Sequence, residues 1–247
     1  MPGYSDNVIS VWECDEQSAA SNLVDSFGSN TLTAVSSPGV STGKIGGARN
    51  FNGSQYFYAA DNASLSVGGL TSWSASMWVK FASISGYHCI IAKCNSGGGD
   101  VEFEFRYANA NSRFQFIVTN DGSTGQFVEA NSFGAASTGV WYFVVIEHNA
   151  VTHKLTIQVN NGAIDEAAAH SSGGYDSTNA MTVGSRTSLG IPFYGDIDQI
   201  IFRKRIVPAA ERSLLYNNGN GMTFTNLLAT GSDSLSGLYS AWPEMNS

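Results

Sequence analysis

SWSASMWVKF (residues 72–81) places an apolar side chain at every second position, from Trp73 to Phe81. Successive side chains of a strand point to opposite faces, so a period of two is typical of a β-strand with one buried face. The alternation recurs in VISVW (8–12), SQYFYAA (54–60), CIIAK (89–93), VEFEFRY (101–107), RFQFIVT (113–119), WYFVVIEH (141–148) and KLTIQV (154–159). Many short strands with glycine-rich turns between them predict an all-β protein, a two-sheet antiparallel β-sandwich of the jelly-roll kind.

One stretch near the end is typical of a short helix. In VPAAERSLLYNNGNG, Pro208 suits the first helical turn and Glu211 favours the positive end of the helix dipole. Gly219 or Gly221 can end the helix, because glycine adopts the left-handed conformation without steric cost. We therefore expect one short C-terminal helix packed on the sandwich.

The chain is long and apolar enough for a sizeable core, with 247 residues and 43% hydrophobic content. All-β sandwiches of this length commonly form one domain. We expect one domain over residues 1–231, followed by a tail or the start of a further repeat at 232–247. No apolar run is long enough for a transmembrane helix, so no membrane insertion is expected.

The charge balance argues against nucleic acid as a partner. The net charge is -8, and the 12 Lys and Arg residues are scattered along the chain rather than clustered in a basic stripe. The opening MPGYSDNVIS lacks the basic and apolar regions of a signal peptide.

Cysteine usage predicts neither a disulfide framework nor a zinc site. Cys14, Cys89 and Cys94 are odd in number. If CIIAKC is one extended strand, Cys89 and Cys94 point to opposite faces roughly 16 Å apart, beyond disulfide reach. We expect all three to be small buried hydrophobic residues.

An ordered series of stretches is similar to a known group of domains. The series is VWECDE, LVDSFGSNTLT, GKIGGARNFNGSQYF, DNASLS, SWSASMWVKF, VWYFVVIEHN, IQVNNG, FYGDIDQIIFRKR and AERSLLYNNGNG. Over about residues 6–222 it resembles the LamG-like (laminin G-like) domains of the concanavalin A-like lectin/glucanase superfamily. The resemblance implies a concanavalin A-like jelly roll. It also implies a module, mostly non-catalytic, that binds glycans or proteins on secreted bacterial, extracellular or phage tail proteins.

Two aspartates stand one residue apart in GDIDQIIF (195–202). Asp196 and Asp198 would share one face of a strand, and no Lys or Arg lies within that stretch. The resemblance implies a structural calcium ion held by Asp25 and Asp198, with Asn30 and Asp196 as neighbouring ligands. Calcium prefers several carboxylate, amide and carbonyl oxygens, which these residues offer. The alternative is that one aspartate caps a turn and the other faces water.

A hydrolase is the less favoured alternative. In DVEFE, Asp100, Glu102 and Glu104 would share one face of a strand, and two nearby carboxyl groups are what retaining glycoside hydrolysis requires. However, Asp stands first where the glucanase motif has Glu, and Arg106 continues the same face. We therefore interpret the acids as a charged solvent face or a cleft wall, and we do not expect an enzyme.

Aromatic residues supply candidate ligand contacts, because sugar rings stack on aromatic faces. The candidates are Tyr56, Tyr58, Tyr87, His88 and Tyr107, although each of them could instead pack in the core. The predicted function is a recognition or adhesion module for carbohydrate, with a glycan or surface protein as partner, in an extracellular, cell-surface or virion location. The alternative is a structural or decoration component of a phage virion, or of a larger multidomain assembly, with no small ligand.

Overall fold

A computed structural model describes residues 3–169 and 173–239, with side chains described as far as residue 231. The chain forms two antiparallel sheets, which confirms the predicted fold class. The eight-stranded sheet contains β1 (Val8–Trp12), β3 (Gly39–Thr42), β4 (Gly47–Asn52), β6 (Trp73–Phe81), β11 (Trp141–Asn149), β12 (Lys154–Val159), β13 (Ile164–Glu166) and β15 (Tyr194–Arg203). The seven-stranded sheet contains β2 (Thr33–Val35), β5 (Tyr56–Ala59), β7 (His88–Lys93), β8 (Phe103–Ala108), β9 (Arg113–Thr119), β10 (Gly125–Glu129) and β14 (Met181–Val183).

The strand order explains why the sequence alternates. The eight-stranded sheet runs β13-β12-β11-β6-β15-β4-β3, with β1 also paired to β15, and the seven-stranded sheet runs β10-β9-β8-β7-β14-β5-β2. The inward-facing residues of both sheets form the main apolar core. Trp73 of β6 lies near its centre, with its ring 4.7 Å from Phe103 and 5.4 Å from Phe116 of the opposite sheet.

A second apolar layer lies on the other side of the eight-stranded sheet. Helix α1 (Ala209–Tyr216) is the predicted helix and ends at Asn217, which adopts the left-handed conformation. A helix that was not predicted, α2 (Phe224–Tyr239), follows it. Leu215 and Leu227 of these helices pack with Trp78 in this layer. The helices therefore cover part of the outer face of the eight-stranded sheet.

The proposed domain division stays a prediction. The boundary between residues 231 and 232 falls inside α2, and residues 240–247 lie outside the described part of the chain. Within the described ranges, neither the length nor the apolar content of any helix suffices to span a membrane.

Buried ion pairs attach α1 to the eight-stranded sheet. Arg212 Nη2 lies 2.6 Å from Oε2 of Glu147 in β11, and Glu211 Oε1 lies 3.1 Å from Arg203 Nη2 of β15. Glu147 also accepts the N–H of Val207 at 2.7 Å. Burial raises the pKa of Glu147 and lowers the pKa of Arg203 to about 10. Because each buried charge has an opposite charge beside it, losing α1 would leave charges buried without partners.

The cysteines show one departure from the sequence prediction. The pairing of β7 with β8 is irregular between Cys89 and Ile91. A bulge changes which face the following residues occupy. Cys89 and Cys94 therefore lie in one small apolar cluster with Ala92 rather than on opposite faces. Both are buried and free, as is Cys14, as expected.

Candidate functional site

Asp25 organises the loop after β1. Its Oδ1 accepts the backbone N–H groups of Val11, Phe27 and Gly28 at 3.0, 3.1 and 2.8 Å. Its Oδ2 accepts the N–H of Asn30 at 2.9 Å. Four amide donors already satisfy this buried carboxylate, so its role in the structure is to hold the loop against β1.

The side-chain amide of Asn30 is also engaged in hydrogen bonds within the protein. Its Nδ2 donates to Ser10 Oγ at 2.9 Å, while its Oδ1 accepts hydrogen bonds from Ser64 Oγ at 2.9 Å and from Asn62 Nδ2 at 3.3 Å. This residue links β1 to the segment that follows β5.

Asp196 is held by side chains of the neighbouring strands. Its Oδ2 lies 2.8 Å from Lys80 Nζ, and its Oδ1 accepts hydrogen bonds from Ser41 Oγ and Asn50 Nδ2, both at 2.7 Å. The absence of a cation from the local sequence is thus compensated by Lys80, which pairs across from Asp196 on β6.

Asp198 has a different environment, although it lies on the same strand. Its Oδ2 accepts the N–H groups of Lys44 and Ile45 at 2.7 and 2.8 Å, while its Oδ1 is buried without a hydrogen-bond partner among the described residues. Burial raises the pKa of Asp198 to about 8, and the negative charge of Asp15 adds to the effect. The group also lines a cavity of about 10 Å³ together with Asp15 and Glu13.

The four predicted calcium ligands do not form one ligand set. Asp25 is saturated by amides and Asp196 is paired with a lysine, while Asp198 contacts a different loop. In the described ranges 3–169 and 173–239, no three carboxylate, thiol or imidazole groups come together in a way that could hold a metal ion. These residues as placed do not fit a calcium site, and calcium binding stays a prediction.

Two predicted tyrosines lie on the outer face of the seven-stranded sheet. Phe57 points into the core, so Tyr56 and Tyr58 on either side of it point outwards. Their ring centroids are 6.4 Å apart, and 37% of Tyr58 is exposed. We call Tyr56 and Tyr58 the tyrosine pair.

Tyr87 lies on the same side of the molecule and is 42% exposed. The guanidinium carbon of Arg106 is 4.9 Å from the centroid of its ring. This is a cation–π contact, which fixes the ring against the sheet.

The assignment of His88 and Tyr107 to a ligand surface is corrected. The two residues pair across β7 and β8, and both face the core with only 1% of each exposed. The ring of Tyr107 lies 5.0 Å from Phe81 and 5.7 Å from Phe114. Burial lowers the pKa of His88, which favours the neutral imidazole.

The acidic stretch DVEFE is divided among three environments. Strand β8 begins only at Phe103, and Asp100 precedes it with φ of +48°. The buried carboxylate of Glu102 contacts Lys93 Nζ and accepts the N–H of Ser177 at 3.0 Å. Burial raises the pKa of Glu102. The expectation of three acids on one solvated face is therefore wrong, since Glu104 contacts neither of these partners.

Glu104 is the centre of an arginine cluster on the outer face of the seven-stranded sheet. The guanidinium group of Arg186 forms a bidentate interaction with its carboxylate. Nε donates to Oε1 at 2.9 Å, and Nη2 donates to Oε2 at 2.7 Å. Arg106 Nη1 reaches Oε2 at 3.3 Å, and its Nε donates to Gln115 at 2.8 Å. We call Glu104, Arg106 and Arg186 the arginine cluster. The sequence indicated the Glu104–Arg106 pair, but gave no signal for Arg186.

Family comparison agrees with this architecture. The Laminin_G_3 family, described as the Concanavalin A-like lectin/glucanases superfamily, matches residues 51–211. The chain belongs to this family. The matched range begins in β4 and ends in α1, so it includes the tyrosine pair and the arginine cluster. No curated relative matches the sequence.

Solved structures of the same fold include a toxin binding domain and a domain of an extracellular enzyme. The binding domain of Paraclostridial Mosquitocidal Protein 1 matches with a TM-score of 0.68 at 13% identity, over 87% of this chain and 53% of that chain. Domain 4 of AbnA, an extracellular GH43 arabinanase from Geobacillus stearothermophilus, in complex with arabinotriose, matches with a TM-score of 0.59 at 14% identity, over 87% of this chain and 98% of that one.

A third similar structure is of botulinum neurotoxin type C, whose cell entry depends on interaction with two ganglioside molecules. It matches with a TM-score of 0.61 at 14% identity, over 86% of this chain and 51% of that chain. This Laminin_G_3 chain thus spans about half the length of the toxin chains and nearly all of the arabinanase domain. At these identities the likeness shows a shared fold.

Proposed function

We propose that this domain is a non-catalytic recognition module that binds carbohydrate on the outer face of its seven-stranded sheet. The observation that carries the proposal is the difference between the two sheets. Helices α1 and α2 pack on the outer face of the eight-stranded sheet. Part of the outer face of the seven-stranded sheet presents the exposed rings of Tyr58 and Tyr87, with Arg106 beside Tyr87. Another part is covered, because Cys89, Ala92 and Cys94 form a small buried cluster against which Ile191 packs.

The chemistry of this face suits a sugar. The apolar face of a pyranose ring stacks on aromatic side chains, and its hydroxyl groups need directed polar partners. The tyrosine pair and Tyr87 offer the rings. The arginine cluster offers the polar groups, and buried Gln115 holds Arg106 in place through a hydrogen bond.

The similar structures support this assignment by analogy of fold. The arabinanase domain is in complex with arabinotriose, and the neurotoxin interacts with gangliosides. We therefore propose an extracellular or cell-surface setting with a glycan or glycan-bearing surface protein as partner. Hydrolysis is not proposed, because cationic groups engage both Glu102 and Glu104.

The test is a glycan array with the purified domain, followed by titration of the best ligand with Tyr58→Ala and Tyr56→Ala. We expect the dissociation constant to rise about tenfold for each variant, because each removes a stacking surface. Val151→Ala is the matched control, since Val151 is 86% exposed in the turn between β11 and β12 of the other sheet. Unchanged affinity in the tyrosine variants would place the site elsewhere.

The same experiment distinguishes carbohydrate recognition from the alternative role as a structural component of a virion. An array without any specific binding would reject the carbohydrate proposal and favour an assembly role. Association of the protein with particles in a native preparation would then be the next measurement.

A further inference from the structure

The arginine cluster carries positive charge on the outer face of an otherwise acidic protein. The chain has a net charge of -8, yet this cluster places two guanidinium groups against one carboxylate. Other arginines are buried where α1 meets the eight-stranded sheet, such as Arg203 of β15 and Arg212 of α1. The position of Arg106 and Arg186 on a sheet face therefore needs a different explanation from helix docking.

Glu104 holds the two guanidinium groups close together. Arg106 Nη1 and Arg186 Nη2 both bind Oε2 of Glu104, at 3.3 and 2.7 Å, so these two nitrogens lie within about 6 Å of each other. Glu104 is 1% exposed, whereas the side chains of Arg106 and Arg186 are 19% and 12% exposed. The carboxylate thus lies beneath the two cations, which face outwards.

A donor group of Arg106 remains available. Arg106 uses Nε for Gln115 and Nη1 for Glu104, and Arg186 uses Nε and Nη2 for Glu104. Arg106 Nη2 has no hydrogen bond to the described part of the chain, whereas Gly98 lies against the Arg186 guanidinium at Nη1. Glu104 is the carboxylate in direct contact with both guanidinium groups, and Glu129 joins the network through Gln115.

The surroundings make this arrangement rigid. Gln115 Nε2 donates to Glu129 at 3.0 Å, which extends the hydrogen-bonded network from β8 to β10. Tyr87 lies against the Arg106 guanidinium from the other side. Charged donors that are already ordered lose little entropy when they bind a ligand.

We propose that the preferred ligand is an acidic glycan whose carboxylate binds between Arg106 and Arg186 while its sugar ring stacks on Tyr87. This inference rests on the proposed carbohydrate function and names the class of sugar, a uronic or sialic type. Planar guanidinium groups match the geometry of a carboxylate and bind it through charge-assisted hydrogen bonds.

The experiment compares matched oligosaccharides in neutral, carboxylated and sulfated form by calorimetric titration of the folded domain. We expect the carboxylated form to bind at least tenfold more tightly than the neutral form, and the advantage to shrink as salt is added. Tighter binding of the sulfated form would show that the cluster recognises anionic charge in general and would overturn the carboxylate assignment.

Three variants assign the effect to residues. Arg106→Gln and Arg186→Gln should each remove most of the preference for the carboxylated form. Arg113→Gln is the control, because Arg113 lies on the same sheet face with the same charge but bonds only to backbone carbonyls of Asn111 and Ser112. Equal loss in the Arg113 variant would indicate diffuse electrostatic attraction and overturn the proposal.

A conservative replacement tests the proposal if the glutamine variant does not fold. If Arg186→Gln unfolds because Glu104 loses its main partner, Arg186→Lys keeps the charge and removes the planar fork. We expect it to bind the carboxylated form several-fold more weakly than the unmodified domain. Specific binding of neutral glycans alone would refute this inference and leave the proposed function standing, whereas no glycan binding at all would reject both.

Discussion

Replacing Asp198 by Asn is expected to stabilise the protein at neutral and alkaline pH. The Asp198 carboxyl is fully buried on β15, accepts two N–H groups on Oδ2 and has no partner on Oδ1. Burial raises its pKa from 3.8 to about 8. Asn is neutral at every pH and keeps one oxygen for the N–H groups of Lys44 and Ile45.

The sign of the effect follows from proton linkage. Between pH 3.8 and about 8 the folded carboxyl keeps a proton that the unfolded chain loses, so the free energy of unfolding decreases as pH rises. The decrease is about 1.4 kcal/mol per pH unit, and it amounts to about 6 kcal/mol once pH exceeds the folded value. The advantage of the Asn variant should therefore be near zero at about pH 4 and reach several kcal/mol at about pH 9.

The assay is urea unfolding, followed by tryptophan fluorescence, for both proteins at steps between about pH 5 and about pH 9 in the presence of a chelator. Asp196→Asn is the matched control on the same strand. It removes the ion pair of the buried Asp196 carboxylate with Lys80 and should lower the free energy of unfolding by about 1.5–3 kcal/mol. Parallel pH curves for the unmodified protein and Asp198→Asn would refute the reasoning, as would a less stable Asn variant at about pH 8.

The same variants decide the calcium prediction. A cation that binds only the folded state must raise its apparent stability. If Asp198 holds calcium, millimolar calcium should raise the melting temperature of the unmodified protein and not that of Asp198→Asn. Equal melting temperatures of the unmodified protein in calcium and in chelator would reject a structural calcium.

Two further substitutions test the packing. Arg212→Met should lower the free energy of unfolding by about 3–5 kcal/mol in urea titrations, because Glu147 stays buried without its cation. An effect below about 1 kcal/mol would show that α1 is not held by this pair. Tyr107→Phe should leave stability within about 1 kcal/mol of the unmodified protein in the same assay, because the buried hydroxyl of Tyr107 has no hydrogen-bond partner in the part of the chain that the structure describes. A larger loss would reveal an interaction of that hydroxyl.

The alternation of apolar residues predicted the strands well where the pairing with the neighbouring strands has no bulge. Strand β6 could be predicted because every second residue from Trp73 to Phe81 lies on its inner face. The same rule could have corrected the assignment of Tyr107. It stands two and four residues after Phe105 and Phe103 in β8, so it lies on the same strand face and points into the core. The rule failed at Cys89, because a bulge changes the parity and the sequence does not mark it clearly.

Helix α2 was missed for a different reason. Its stretch FTNLLATGSDSLSGLY contains two glycines and several serines, which are weak helix formers. Phe224 and Leu227, three residues apart, are buried in the layer beneath the helix. Tertiary packing of one face therefore offsets the poor propensity, and the spacing of these two residues was the only signal.

The partners of charged residues were the least predictable part of the site. Asp196 and Asp198 share a strand and a face, yet one is paired with Lys80 and the other with the backbone of Lys44 and Ile45. Glu104 depends on Arg186, which is 82 residues further along the chain. Such pairings are set by loop placement, which strand periodicity does not determine.

The buried ion pairs under α1 also bear on where a ligand can bind. Opening the covered part of the eight-stranded sheet would separate Glu147 of β11 from Arg212 and Arg203 of β15 from Glu211, and the two strand residues would lose their charged partners. That cost of several kcal/mol would have to be met by the ligand before any gain in affinity. Binding at Tyr58 and Tyr87 on the seven-stranded sheet needs no such opening, because both side chains are already exposed. A ligand that binds without rearrangement should therefore use the seven-stranded face.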